Sequence, residues 1–243
     1  MPQKKLSPND IEWFTTEDGS ITGRRRDLGI HYKSVYGAQT ESQHIFIHAS
    51  GLKKIETDWH VGELGFGMGS NFSQAAVAAK TLKKRLFYES VDHQPPPPES
   101  IPPHQPYAAL IQQALSTARD QDGPVEVSEA HIVLRLYPSD WTKTTFKNSR
   151  LDIAFHDPFA PADNPESWTA DCFQWWRQSL SPSGRLATYS AAGHVRRALA
   201  AAGFWVARTA GPGKKREITI ASPSSVTLSD CDIIPKYKPS CAL

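Results

Sequence analysis

From Trp59 onward, short apolar runs alternate with longer stretches whose apolar residues recur at helical spacing. The pattern predicts strands at 59–64, 86–92, 131–137, 151–156, 185–189, 204–208 and 217–221. It predicts helices at 71–82, 107–119, 165–180 and 195–202, the first rich in alanine and so suited to lie close on a sheet. Between the second strand and the second helix, 94–106 carries so many prolines that neither helix nor strand can continue through it, and it reads as a stiff loop. Strand alternating with helix argues for a parallel sheet covered on both faces. The last two strands, joined through Gly211-Pro212-Gly213, suggest an antiparallel closing pair.

The periodicity begins late. Before about residue 55 there are only a turn at Asp18-Gly19 and brief apolar pieces, Ile30-His31-Tyr32 and His44-Ile45-Phe46-Ile47. These predict a hairpin region and a short helix, an extension that covers one edge or mouth of the main domain. After residue 222, Ser, Pro, Asp and Lys dominate and the chain reads as a tail. The expected division is an extension over 1–54, a catalytic domain over 55–222 and a tail over 223–243.

Composition narrows the function classes. With 39% hydrophobic and 21% charged residues over 243 positions, the chain suits one full core. No apolar run is long enough for a membrane span and the start MPQKKLSPND has no signal-peptide core, so a cytoplasmic protein is expected. Cys172, Cys231 and Cys241 are scattered, as are the histidines, so reduced thiols and no metal site are expected. The net charge of +2 announces no polyanionic partner. Local basic runs, Arg24-Arg25-Arg26, Arg196-Arg197 and Lys214-Lys215-Arg216, would attract phosphates only if they share a face.

In an open parallel sheet, ligands bind beyond the carboxyl ends of the strands. After the first strand stands Glu63-Leu-Gly-Phe-Gly-Met-Gly69, a GxGxG turn that lets a cofactor approach the backbone. Ser70 stands where a dinucleotide fingerprint would place its third glycine. A zwitterionic amino acid moiety suits this turn better than a pyrophosphate, with Glu63 placed to hold its ammonium. Asp92, 23 residues after Gly69, ends the second strand, where a carboxylate can accept from both hydroxyls of an adenosine ribose. Asp140, after the third strand, is either an acceptor for an adenine amino group or a helix cap. The fourth strand runs into Asp157-Pro158-Phe159. An activated methyl donor needs mainly an aligned nucleophile. If that nucleophile is an amine, Asp157 can orient it and take its surplus proton, while Phe159 packs on a planar base. The plainer reading is a turn at Asp157 and a core ring at Phe159. Trp168, Trp175 and Trp176 have the spacing of core aromatics. The Lys214-Lys215-Arg216 loop is the best candidate for gripping RNA phosphate.

Several segments in order carry a resemblance: Glu63-Leu-Gly-Phe-Gly-Met-Gly-Ser-Asn-Phe72, His156-Asp-Pro-Phe-Ala-Pro161, Asn164-Pro-Glu-Ser-Trp-Thr169, Ala187 to Arg197, Gly213-Lys-Lys-Arg-Glu217 and, upstream, Tyr36 to Phe46. From about residue 10 to about 222 the chain resembles the methyltransferase domain of the MnmC family. That resemblance implies a Rossmann-like class I fold using S-adenosylmethionine. It implies methylation of the 5-aminomethyl group on the wobble uridine of tRNA, often 2-thiolated. Gly65, Gly67, Gly69 and Asp92 then match cofactor-binding positions, with Glu63, Phe66, Asn71 and Asp140 expected beside them. Asp157 matches the acid of an Asp-x-Phe-Ala-Pro motif near the transferred methyl. Phe159, Arg196, Lys214, Lys215 and Arg216 are the expected substrate contacts. Many family members carry a second, flavin-dependent oxidoreductase domain; this chain is expected to lack it and to rely on another enzyme for its aminomethyl substrate. His156 and Pro158 depart from the apolar residue and glycine that more often flank the acid, and the proline-rich loop is unusual. An N-methyltransferase acting on another base or a small amine, and a nicotinamide-dependent oxidoreductase, are the alternatives.

Overall fold

The computed structural model describes residues 5–121, 123–148, 150–213 and 216–239. The chain opens with an antiparallel three-stranded sheet of β1 (Ile11–Thr15), β2 (Ile21–Arg25) and β3 (Ile30–His31). A single helical turn, α1 (Ala38–Glu41), leads into a π-helical segment, Ser42–Ala49. Its Ile45, Phe46 and Ile47 are buried, and Phe46 packs against Phe155 with ring centroids 5.1 Å apart. The extension expected as hairpin plus helix is therefore docked on the core by its own apolar residues.

The main sheet follows: β4 (Trp59–Leu64), β5 (Leu86–Val91), β6 (Val125–Glu129), β7 (Ile132–Tyr137), β8 (Leu151–His156), β9 (Leu180–Thr188), β10 (Trp205–Ala210), β11 (Glu217–Ser222) and β12 (Asp232–Ile233). Their order is β12-β10-β11-β9-β8-β4-β5-β7-β6. Strands β9, β8, β4, β5 and β7 run parallel, while β11, β10, β12 and β6 pair antiparallel. Among the helices, α2 (Ser70–Leu82) buries Ala75, Ala76, Ala78 and Ala79, small enough to let it lie close on the strands. It is followed by α3 (Ala108–Asp120), α4 (Ala170–Ser179) and α5 (Gly193–Ala201). One core layer gathers Phe46, Phe72, Tyr88 and Phe155, and the other Phe146, Phe173, Trp176 and Leu199. Burying each such side chain stabilises the fold by about 1.5–3 kcal/mol.

Three elements differ from the sequence expectation. The single helix over 165–180 is broken into a 3-10 turn, Pro165–Trp168, and α4, because the Thr169 hydroxyl accepts from the Cys172 amide at 3.2 Å and starts a new helix there. Strand β6 was not foreseen; Val125 and Val127 point inward between exposed Glu126, Ser128 and Glu129, and pairing with β7 fixes their register. Residues 223–239, which read as a tail, add β12 to the sheet edge and bury Leu228, Ile234 and Tyr237. Among the described residues no helix is long and apolar enough to cross a membrane. Cys172 and Cys231 are free thiols, and Cys241 lies outside the described residues.

Candidate active site

The sheet changes winding direction at β4, whose neighbours are β5 on one side and β8 on the other. A crevice opens at such a point beyond the carboxyl ends of the strands. The residues following these three strands are Gly65, Asp92 and Asp157, and backbone bonds hold their loops together: Gly65 N–H donates to Val91 O at 2.9 Å, and Asp157 N–H to Leu64 O at 3.0 Å.

The glycine turn has left-handed backbone at Gly65, Gly67 and Gly69. At Gly65 (φ +93°) a Cβ would stand 2.5 Å from the Asp157 carbonyl oxygen, so only glycine admits the β8 loop this close. At Gly67 (φ +50°) a Cβ would meet the Tyr32 ring at 3.0 Å. The Asp92 carboxylate braces this turn, accepting from Gly67 N–H at 2.8 Å through Oδ2 and from Gln94 N–H at 2.9 Å through Oδ1. Burial raises its pKa against those bonds. The proline-rich loop contributes as well: Gln105 Nε2 donates to Met68 O at 2.8 Å, fixing the turn from outside.

Beneath the turn lies a buried polar network that the sequence did not announce. Asn71, at the start of α2, donates from Nδ2 to Glu63 Oε1 at 2.9 Å and to Asp157 Oδ2 at 2.8 Å. Its Oδ1 accepts from Lys33 Nζ at 2.9 Å, and Lys33 also forms a short ion pair with Asp157 Oδ2. Ser90 Oγ donates to Glu63 Oε2 at 2.9 Å. Burial first, and then the nearby Asp157 charge, push Glu63 up to about 8, so it is protonated at neutral pH. Burial likewise raises Asp157 to about 6, with Lys33 opposing the rise.

Two cavities meet at Asp157. The first, about 210 Å³, is lined by Gly65, Phe66, Gly67, Asp92, Asp140 and Phe159 among others. The second, about 580 Å³, is walled by Tyr36, Glu41, Ala160, Tyr189 and Gly213. Tyr32, Lys33, Asp157, Pro158 and Phe159 line both. The wall at Phe159 is held from behind, where Trp168 Nε1 donates to its carbonyl at 2.9 Å and Tyr189 OH donates to Pro158 O at 2.9 Å. His156, just before the acid, is buried and accepts from Trp176 Nε1 at 3.0 Å through Nδ1. Burial lowers its pKa to about 3, so it is a neutral core residue.

The geometry gathers Gly65, Phe66, Gly67, Asp92, Asp140, Asp157 and Phe159 around the first cavity, with Gly69 closing the turn. Asp140 does two things at once: it lines the cavity and caps the turn Trp141–Lys143 by accepting from Thr142 N–H at 2.8 Å. Glu63 corrects the expectation that it holds the donor's ammonium: it is fully buried off the cavity lining and holds Asn71, which one layer down holds Asp157. Arg196 corrects the expectation of a substrate contact. It sits on the inner face of α5, 6% exposed, with Nε donating to Thr219 Oγ1 at 3.0 Å and Nη1 to Glu217 Oε1 at 2.9 Å. Lys214 and Lys215 lie outside the described residues; Arg216 is exposed. The Arg24-Arg25-Arg26 run is no common basic face, since Arg25 is buried on Asp27 and Gln94 while Arg24 and Arg26 both face Glu12 at 3.6 Å. Tyr32 and Lys33 were missed because they come from the extension, where no motif spacing marks them, and Arg25 was marked only as part of a basic run.

Residues 102–224 match a protein family described as S-adenosyl-L-methionine-dependent methyltransferase. The chain belongs to that family. The residues of this methyltransferase fit its cofactor: the Gly65 and Gly67 backbone lines the first cavity without side chains, and the acid that ends the neighbouring strand, Asp92, lines it as well. Over 242 residues the methyltransferase is 28% identical to the tRNA 5-methylaminomethyl-2-thiouridine biosynthesis bifunctional protein MnmC of Chromohalobacter salexigens, across 91% of this chain and 34% of the relative. It is 32% identical over 215 residues to the protein of the same name in Ectopseudomonas mendocina, across 82% of this chain and 33% of the relative. The chain spans about a third of the length of these curated relatives. The crystal structure of MNMC2 from Aquifex aeolicus superposes with a TM-score of 0.71 at 26% identity, covering 92% of this chain and 72% of that chain. Spermidine synthase from Thermotoga maritima superposes at 0.56 with 13% identity, over 91% and 72% of the two chains, a likeness of fold alone.

Proposed function

We propose that the protein methylates the amine of 5-aminomethyl(-2-thio)uridine at the wobble position of tRNA, forming 5-methylaminomethyl(-2-thio)uridine. One observation carries the reading: a donor cavity and a wider second cavity share Asp157, with the Phe159 ring beside it. An acid between two pockets, flanked by an aromatic wall, is what an amine carried on a planar base requires. The names of the relatives, which speak of 5-methylaminomethyl-2-thiouridine biosynthesis in tRNA, support the same acceptor.

When bound, S-adenosylmethionine supplies a methyl group on a sulfonium, already activated for in-line displacement. Gly65 and Gly67 would give it backbone contact with Gly69 closing the turn, Phe66 would pack beside it, and Asp92 and Asp140 would receive its sugar and adenine. Asn71 acts from below by holding the Asp157 carboxylate, and Glu63 in turn holds the Asn71 amide. Asp157 Oδ2 is committed to Asn71 and Lys33, which leaves Oδ1 to orient the acceptor amine and to take the proton it sheds. Phe159 packs against the base, and Arg216, with Lys214 and Lys215 before it in the sequence, is the candidate for phosphate contact. The enzyme then works in the cytoplasm, on tRNA that already carries the aminomethyl group.

The test is transfer of labelled methyl from S-adenosylmethionine to an anticodon stem-loop RNA with 5-aminomethyluridine at the wobble position. Methylated amine is expected in the nucleoside digest, and none with unmodified uridine. Equal labelling of both RNAs, or of neither, overturns the acceptor assignment.

A further inference from the structure

Lys33 sits where the two cavities join, only 7% exposed. An ammonium has three donors, and this one meets the Asn71 Oδ1 amide oxygen at 2.9 Å, the Asp157 carboxylate, and the face of Phe46 with its centroid 4.7 Å away. Such a cation is costly to bury unless each donor is matched. Its two polar partners come from α2 and from the loop after β8, so the lysine ties the donor turn to the acid of the acceptor pocket. We propose that Lys33 is a positioning residue for methyl transfer, keeping Asp157 ionised and its carboxylate fixed at the junction of the two cavities. This rests on the reading of Asp157 given above.

The charges around Asp157 make the claim specific. Glu63 from β4, Glu41 from α1, Tyr88 from β5 and Tyr189 beyond β9 all interact with it electrostatically, and each, when ionised, disfavours its charged form. Lys33 is the cation that opposes them. Among the described residues lining the wider cavity, it is also the one lysine or arginine; His31, the other basic group, has its pKa lowered by burial. The Asn71 amide also offsets the burial of Asp157 but carries no charge, and the carboxyl still stands at about 6. Removing an opposite charge in contact moves a carboxyl upward by about 1–3 pH units.

The test uses the full chain as wild type, Lys33→Met and Lys33→Arg, each checked for cooperative thermal unfolding. Aspartate labelled with 13C at the side-chain carboxyl reports the ionisation of Asp157 directly, its resonance assigned with Asp157→Asn. The expected result is a titration midpoint at least about one pH unit higher in Lys33→Met and restored in Lys33→Arg. The acid limb of methyl transfer to the aminomethyluridine RNA should move by the same amount, with at least about a fivefold loss of kcat near pH 6 that narrows toward pH 9. An unchanged Asp157 midpoint in Lys33→Met overturns the proposal, whatever the acceptor. A shifted midpoint in a protein whose wild type leaves that RNA unmethylated overturns the acceptor reading instead, and the role of Lys33 toward Asp157 stands.

Discussion

Gly65 and Asp157 lie in such close contact that a methyl group on the first would come within 2.5 Å of the carbonyl oxygen of the second. The glycine turn after β4 and the loop that carries the acid after β8 are therefore packed as one piece, joined through the ends of these two strands. A backbone change at Gly65 should be felt at Asp157.

The first consequence concerns Gly65→Ala. Its backbone is left-handed at φ +93°, which alone costs a residue with a Cβ about 1–3 kcal/mol, and the overlap with Asp157 adds to this. Urea unfolding should show a loss of about 2 kcal/mol or more, and the surviving folded protein should bind S-adenosylhomocysteine poorly. A variant that binds it as wild type does would mean that the turn has room to spare.

Asp92→Ala separates support of the turn from contact with the donor. The carboxylate braces Gly67 and Gln94, and in the proposed pose it also receives the two ribose hydroxyls. Bonds to a charged group are worth about 1.5–3 kcal/mol, so calorimetry should find S-adenosylhomocysteine bound about ten- to a hundredfold more weakly. An affinity within twofold of wild type would remove the sugar from this acid.

Asp157→Asn should act on turnover instead. The amide keeps the size of the side chain but cannot take a proton, and general-base contributions are about 10²–10⁴-fold. Single-turnover transfer to the aminomethyluridine RNA should slow by at least about a hundredfold, while S-adenosylhomocysteine affinity changes little. Equal losses in both measurements would point to a structural role alone.

The sheet was legible because its signal is local. Alternating apolar runs mark β4, β5, β7 and β8, and the chemistry follows directly after three of them, at Gly65, Asp92 and Asp157. Lys33 was not legible: its partner Asp157 stands 124 positions later, and no spacing rule joins a lone lysine in an irregular segment to an acid in another. Arg196 shows the opposite failure. Beside Arg197 it reads as half of a basic run, yet Val195, Arg196, Leu199 and Ala200 form the buried stripe of α5, and helical spacing alone would have turned it inward.

That placement gives Arg196→Met a distinctive signature. The guanidinium serves Thr219 and Glu217 on β11, and Glu217 retains solvent to compensate it. Stability should fall by about 1–3 kcal/mol in urea unfolding, with KM for the RNA unaltered at a temperature where the variant stays folded. A raised KM without loss of stability would return Arg196 to the substrate surface.

Glu63 predicts how stability depends on pH. Its carboxyl is raised in the fold from 4.5 to about 8, and that of Asp157 from 3.8 to about 6. In both cases the folded protein holds its proton more tightly than the unfolded chain does. Their contribution to stability is thus fully present below the unfolded values and is lost as pH rises through the folded ones. Between pH 4 and 6 both groups act, whereas from 6 to 8 Glu63 acts largely alone. Glu63→Gln keeps an acceptor for Asn71 and can donate to Ser90 Oγ, so its core stays satisfied. The melting temperature of wild type should decline from pH 6 to 8, and that of Glu63→Gln should be nearly level there while keeping part of the decline below 6. Parallel curves for the two proteins across the whole range would show that Glu63 is already ionised in the fold, held so by the amide of Asn71 and the hydroxyl of Ser90.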